Sequence, residues 1–346
     1  MPADGKPLRV GIAGFGMAGQ VFHAPLVDAT DGLEVSGIVT NDPERADLAR
    51  ALYPGVEVVS SIGQLVKVVD LVVIATPNRS HADVALTAIE ASLPVVIDKP
   101  LAASVEEAEQ VLATGGRVTV FQNRRWDGDF LTVKDLVETG RIGEVVRFES
   151  WFERFRPEVG DGWRESGDPA EGGGQLADLG AHLIDQAVVL FGPPERIYAE
   201  VDRRRPGVEA DDDAFVALEH AGGVRSHLHM GKVAPLAGPR FRVSGLKGGV
   251  AIDGLDSQEA QLADGLTPGS PGYGEPEGVG KLSFADTEEV LPIARGHYEA
   301  FYEGVRDWVS GDAPPPVDPR ESLLVMRIIQ AARESSERAQ VVTFEG

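Results

Sequence analysis

The chain has no cysteine among its 346 residues, which excludes disulfides and thiolate metal sites. Its seven histidines are scattered, with no His-Glu-x-x-His or similar spacing, so no metal is expected. Positive charge is also scarce: 32 Lys and Arg stand against 55 Asp and Glu, a formal net charge of −23. Such a surface repels phosphate backbones and anionic lipid, which argues against nucleic-acid and membrane partners and otherwise favours solubility. Long apolar runs are missing. The most apolar stretch, residues 66–75, is interrupted by Lys67 and Asp70 and is too short to cross a bilayer. The first strand-like run, at 8–13, comes too early for a secretory signal to precede it, so the cytoplasm is the expected location.

Hydrophobic residues (42%) and charged residues (25%) are present in ordinary globular proportions, and the length suggests two domains. Up to residue 122, short Val/Ile/Leu-rich runs (8–13, 33–39, 56–59, 71–75, 94–98, 117–121) alternate with helical spacing, as at 81–91 and 104–113. Continuous apolar strands are buried on both faces, as in parallel sheets. Beyond residue 143 the strands are longer and partly alternating: 144–155, 197–202, 214–220, 224–230 and 240–246. The Ala-Gly-Gly at 221–223 marks a hairpin between two of them. Residues 264–280 are too rich in Gly and Pro for regular structure and read as a variable loop or a lid. A last helix is predicted over 320–335.

The run LRVGIAGFGMAG sets Gly14, Gly16 and Gly19 in a G-x-G-x-x-G pattern directly after a strand and before a predicted helix at 17–29. Gly14 serves the tight turn, Gly16 the approach of a pyrophosphate, and Gly19 the packing of helix on strand; the helix start supplies amide donors. Phe15, Met17 and Ala18 lie within the same cofactor-binding turn. The expected fold is therefore α/β: a Rossmann doubly wound parallel sheet over 1–122, which binds NAD or NADP. An α+β domain with a mainly antiparallel sheet follows over 123–346, for substrate binding, and its last helix is free to pack back on the first domain.

After the second strand, Asn41 and Asp42 are placed to meet the ribose. Asp42 favours NAD if it bonds the 2′-hydroxyl, but it equally caps the helix that begins at Pro43, so the choice between NAD and NADP stays open. Thr76, Pro77, Asn78 and His81 follow the fourth strand, at the carboxyl edge where ligands sit. Ser80 alternatively caps the next helix, and His81 is alternatively solvated.

Lys99 ends the fifth strand in VVIDKPL, on the same edge as the expected nicotinamide. An ammonium there favours charge that develops on a substrate oxygen. In GGGQLADLGAHLIDQAVVLFG, Leu176, Leu179, Leu183, Ala187 and Leu190 form an apolar stripe, with Asp178, His182 and Asp185 opposite. A polar stripe is ordinarily a wet face; the alternative is a proton-transfer His held by an Asp one turn away. Asn123, Arg124, Arg156, Trp163 and Arg164 mix guanidinium forks with aromatic faces, which suits a hydroxylated ring or, equally, salt bridges and core packing.

Together, the glycine turn, the DKP at 98–100 and the DLGAHLID at 178–185 resemble the Gfo/Idh/MocA oxidoreductase family. The runs GFGMAGQVFHAPL, NRRWDGDFLT, RFRPEV, WRE and GPRFRVSG are similar to its bacterial NADP-dependent scyllo-inositol dehydrogenase branch. The resemblance implies a Rossmann domain, an open-faced sheet that builds homodimers or homotetramers, and a small-molecule polyol or sugar substrate. It places the catalytic lysine at Lys99 and the Asp-x-x-x-His pair at Asp178 and His182. Two positions depart from the pattern: Asp98 stands where the family has Glu, and Asn41-Asp42 where the branch has Ser-Arg. His23 reads as structural. The expected activity is oxidation of a cyclitol or sugar secondary alcohol. The alternatives are a dehydrogenase for another aldose or a trans-dihydrodiol, or a regulator that only senses NAD(P).

Overall fold

The computed structural model describes residues 6–160 and 162–345, and the chain forms two compact units. The first comprises residues up to 126 together with 258–274 and 297–323; the second comprises 127–257, 275–296 and the segment from 324 onward.

In the first unit, β1 (Leu8–Ala13), β2 (Leu33–Val39), β3 (Glu57–Val59), β4 (Leu71–Ile74), β5 (Val95–Asp98) and β6 (Val118–Phe121) make a parallel sheet in the order β3-β2-β1-β4-β5-β6. β1 lies at the centre, with Val10 opposite Val35 on one side and Leu71 on the other. The central strands are mostly apolar because both faces are covered; β4 is buried at every position. Part of the cover comes from far along the chain. The helix Glu299–Ser310 sends Phe301, Tyr302, Val305 and Trp308 into the same core as Val10 and Ile12. The predicted loop at 264–280 is largely as expected, with turns over 264–278, but its last residues start a strand. It is anchored: Tyr273 packs into the first core and Gln261 holds both Gly272 and Gly274.

The second unit is built on β7 (Val145–Glu153), β8 (Pro194–Asp202), β9 (Asp213–His220), β10 (Arg225–Gly231), β11 (Phe241–Gly245), β12 (Gly249–Ile252), β13 (Val279–Ser283), β14 (Glu288–Pro292) and β15 (Val342–Thr343). Their order is β14-β13-β12-β11-β7-β10-β9-β8-β15, antiparallel except where β10 runs parallel to β7. The β9–β10 hairpin turns at Ala221-Gly222-Gly223, where Gly223 has φ +81° and donates to the His220 carbonyl. One face buries Phe148, Leu228, Phe241 and Val243 with Leu183 and Ile184 of the helix Ala181–Phe191 and Ile328 of the helix Pro319–Arg338. The other carries half-buried side chains, among them Trp151 stacked on His229 with ring centroids 5.0 Å apart.

His220 is buried and neutral. Its Nδ1–H donates to the Gly192 carbonyl (2.8 Å) and its Nε2 accepts from the Ser226 hydroxyl (2.8 Å). Burial holds its pKa below the ordinary 6.5. The unfolded chain therefore takes up the proton first, so the stability is complete above about pH 6.5 and is lost as pH falls through the folded value. Urea denaturation at pH 7.5 and 5.5 is expected to show a lower midpoint at the acid pH, and a smaller difference in His220→Gln; an equal difference in the variant would refute this assignment.

Candidate active site

The glycine turn is built by close backbone approach. A Cβ on Gly14, whose φ is +98°, would lie 2.6 Å from the Ala75 carbonyl oxygen, and one on Gly19 would lie 2.3 Å from that of Gly14. Gly16 is different: a Cβ there would meet only Arg45 Nη1, at 3.8 Å, which leaves open space over the turn. Residues Ala18–His23 wind as a wide π-type turn before Ala24–Asp28 continues as α-helix. Gln20 closes the turn by donating to the Phe15 carbonyl at 2.7 Å. Among the candidates here, Met17 is exposed and Ala18 half-buried, while the Phe15 side chain is a correction: it is buried in the core, which leaves only its backbone for a ligand. The open face at Gly16 between two crowded glycines fits a dinucleotide pyrophosphate.

After β2, Asn41 is exposed and Asp42 is a helix cap: Oδ1 accepts from the amides of Glu44 (2.9 Å) and Arg45 (3.2 Å), and Oδ2 lies 3.5 Å from Arg45 Nε. After β4, Pro77 is exposed and Thr76 and Asn78 are half-buried. Ser80 donates to the Pro77 carbonyl (2.8 Å) and its oxygen lies 2.9 Å from the Thr76 hydroxyl, so it braces this turn rather than capping the helix. His81 is corrected too. Neither solvated nor available to a cofactor, it is buried with Nδ1 on the Pro100 carbonyl (2.8 Å) and Nε2 on the Thr76 carbonyl (2.9 Å), tying the ends of β4 and β5 together. Lys99 is half-buried at the end of β5, before a cis bond to Pro100, and its amide donates to Asp98 Oδ1 at 2.9 Å. Asn123 and Arg124 lie buried in the turn after β6, where the Arg124 guanidinium is paired with Glu259 and is spent on structure.

In the second unit, Arg164 Nε donates to Asp178 Oδ2 at 2.7 Å, and its guanidinium lies 4.4 Å from the ring centre of Trp163, which is 41% exposed. Arg156 is exposed on the same segment. Asp178 falls in a second π-type turn, Leu176–Gly180, and His182 follows at the start of the helix Ala181–Phe191. The polar stripe is not a wet face: Asp178, His182 and Asp185 are all buried, because the helix packs against the sheet and its neighbours on nearly every side. The preceding glycines serve close approach. A Cβ on Gly174 would strike the Asp211 carboxylate, whose Oδ2 accepts from the Leu176 amide at 2.8 Å.

Sequence reasoning missed the support beneath this segment. Arg205 is buried and donates to Asp212 (2.7 Å), to Glu165 (2.6 Å) and to the Glu158 carbonyl (2.8 Å), while Lys232 donates to the other Glu165 oxygen at 2.6 Å. Burial pushes the Glu165 and Asp212 carboxyls up, but hydrogen bonds and charge from Lys232, Arg204 and Arg205 outweigh it and hold both below the usual carboxylate range. The acidic run Asp211–Asp213 was the available signal.

Comparison with known proteins bears on both units. Residues 8–119 match the Gfo/Idh/MocA profile described as an oxidoreductase family NAD-binding Rossmann fold, and residues 134–344 match the family's C-terminal alpha/beta domain. The chain belongs to the Gfo/Idh/MocA oxidoreductase family. It is 39% identical to the uncharacterized oxidoreductase YdgJ of Escherichia coli over 95% of this chain and 96% of YdgJ. It is 34% identical to the scyllo-inositol 2-dehydrogenase (NADP(+)) IolW of Bacillus subtilis over 98% and 96% of the two chains. The putative oxidoreductase yvaA of Bacillus subtilis superposes with a TM-score of 0.92 at 33% identity, covering 98% of this chain and 99% of that one. This family member is an NAD(P)-dependent dehydrogenase with the α/β architecture read from its sequence. Among the described residues no helix is long and apolar enough to cross a membrane, and no group of three or more His, Asp or Glu is placed to hold a metal.

Two substitutions separate the turn from the cap. Gly19→Ala is expected to weaken ADP binding at least about ten-fold, because its methyl collides with the Gly14 carbonyl. Asp42→Ala is expected to cost about 1 kcal/mol of stability with ADP affinity retained. Calorimetric titration with ADP decides the point: a matching loss of affinity in Asp42→Ala would make Asp42 a ribose ligand instead.

Proposed function

We propose that this dehydrogenase acts on a secondary alcohol of a cyclitol or sugar, with Lys99, His182 and Asp178 as its catalytic residues. The observation that carries the substrate class is the half-exposed Trp163 beneath the Arg164 guanidinium, itself paired with Asp178. An aromatic face, a fork of N–H donors and a carboxylate acceptor are what a ring of hydroxyl groups requires. The naming of IolW as a scyllo-inositol dehydrogenase supports the same class. Arg156 is the remaining substrate candidate on this segment.

In this reading His182 takes the hydroxyl proton and Asp178 with Arg164 orients the reacting hydroxyl. The Lys99 ammonium steadies negative charge on the substrate oxygen. The nicotinamide, when bound, supplies or accepts the hydride. Gly14, Gly16 and Gly19, with the backbone of Phe15, Met17 and Ala18, would hold the pyrophosphate, and Asn41, Thr76, Pro77 and Asn78 would border the rest of the cofactor. Assembly into a homodimer or homotetramer through the sheet belongs to the same proposal, supported by the half-buried aromatic residues of its outer face.

For cofactor choice we infer NADP. Asp42 is consumed as a cap, whereas the Arg45 guanidinium is half-exposed beside the glycine turn and is the cation placed to meet a 2′-phosphate. Arg45→Ala is expected to weaken 2′,5′-ADP binding about ten-fold and leave ADP binding unchanged; an unaltered ratio of the two affinities would sink this assignment.

The function is tested with a panel of cyclitols and sugars, read by nicotinamide absorbance. Lys99→Met and His182→Asn are each expected to lower kcat about 10²–10⁴-fold while cofactor still binds. Normal turnover in both variants would overturn the assigned roles. Turnover confined to an aldose or a trans-dihydrodiol would move the substrate class, and nucleotide binding without any turnover would favour a sensing regulator.

A further inference from the structure

Behind the Lys99 turn lies a line of polar groups that the chemistry above does not use. Tyr302, on the helix Glu299–Ser310, is fully buried with its hydroxyl 2.6 Å from His23 Nδ1. His23 is equally buried, its ring 4.6 Å from that of Phe121, and its Nε2 lies 3.8 Å from Asp98 Oδ1. That same oxygen accepts the Lys99 amide at 2.9 Å. All four residues belong to the first unit.

The direction of the protons is set by the surroundings. Burial and the nearby Asp98 charge push the Tyr302 phenol well above its ordinary value, so it keeps its proton. His23 is the acceptor in reach, so that proton points at Nδ1. The ring's own proton then sits on Nε2, facing Asp98. Burial alone would push the Asp98 carboxyl up; the neighbouring His23, His81 and Lys99 outweigh it and hold the group below the usual carboxylate range. A phenol and an imidazole are costly to bury where Phe121, Phe301 and Trp126 already form an apolar surrounding. What they add to that packing is one directed N–H beside the carboxylate that meets Lys99.

We propose that Tyr302, His23 and Asp98 form a proton-ordered relay whose role is to position Lys99. With the imidazole edge 3.8 Å behind it, the carboxylate is held toward the Lys99 backbone, whose amide it accepts. The three are positioning residues, and the inference rests on the assignment of Lys99 as a catalytic residue.

Nitrogen-15 NMR of the histidine rings and backbone amides tests the relay without any substrate. The neutral form of the wild-type His23 ring is expected to carry its proton on Nε2, and Tyr302→Phe is expected to shift the Lys99 amide proton resonance. A proton on Nδ1 of that form or an unmoved Lys99 amide would overturn the proposal. In turnover, Tyr302→Phe is expected to lower kcat about ten-fold, short of the roughly 100-fold cost of a 1 Å misplacement. Cofactor affinity should hold and the pH profile of kcat/KM should move, which lost packing alone would not produce. In an Asp98→Asn background the same substitution should add no further loss; a full additional loss there would refute the coupling. If the wild type turns over no polyol, the functional reading fails while the NMR result still decides the relay.

Discussion

A carboxylate withdrawn from water stays ionised only where other donors replace the water it has lost. That constraint organises both units of this acidic chain. In the second unit, Asp212 and Glu165 share Arg205, and Lys232 completes the set. Because Arg205 also holds the backbone carbonyls of Arg156 and Glu158, the cluster fixes the segment that presents Trp163 and Arg164. Arg164 in turn neutralises Asp178. In the first unit, Asp98 stands beside a buried imidazole and its own neighbour's amide. Removing one member of such a group costs far more than the group contributes to net stability, since the partner is left charged and dry.

Both functional helices begin in the same way. A wide turn, Ala18–His23 or Leu176–Gly180, directly precedes regular α-helix, and each comes after a glycine whose missing side chain makes room for backbone or carboxylate. A π-type turn accommodates one extra residue per turn and re-aims the helix beyond it. Here it follows the glycine turn in one unit and carries Asp178 just ahead of His182 in the other.

The parallel sheet was plain in the sequence because its central strands are mostly apolar, a pattern forced by cover on both faces. The glycine turn was equally plain, since only glycine satisfies each of its close approaches. Other features were hidden for identifiable reasons. β14 is a short edge strand that opens on Glu288 and Glu289, and β13 beside it spans only five residues, so their alternation is diluted. The helix Glu299–Ser310 was passed over because its apolar face serves a core some two hundred residues earlier in the chain. The stripe holding Asp178, His182 and Asp185 matched the solvated-face pattern, and only the packing shows it to be enclosed. For Asp42, residue type alone left a cap and a ribose ligand equally open, and the hydrogen bonds show the cap.

The first unit draws its core from three separated stretches of chain, the last ending at residue 323. During synthesis the six strands of the parallel sheet leave the ribosome long before Phe301, Tyr302 and Trp308 arrive to cover them. At about 5–20 residues per second that interval is roughly 10–40 s. The nascent sheet must therefore persist with an unfilled apolar flank, and no N-terminal fragment ending before the helix Glu299–Ser310 carries a finished nucleotide-binding core.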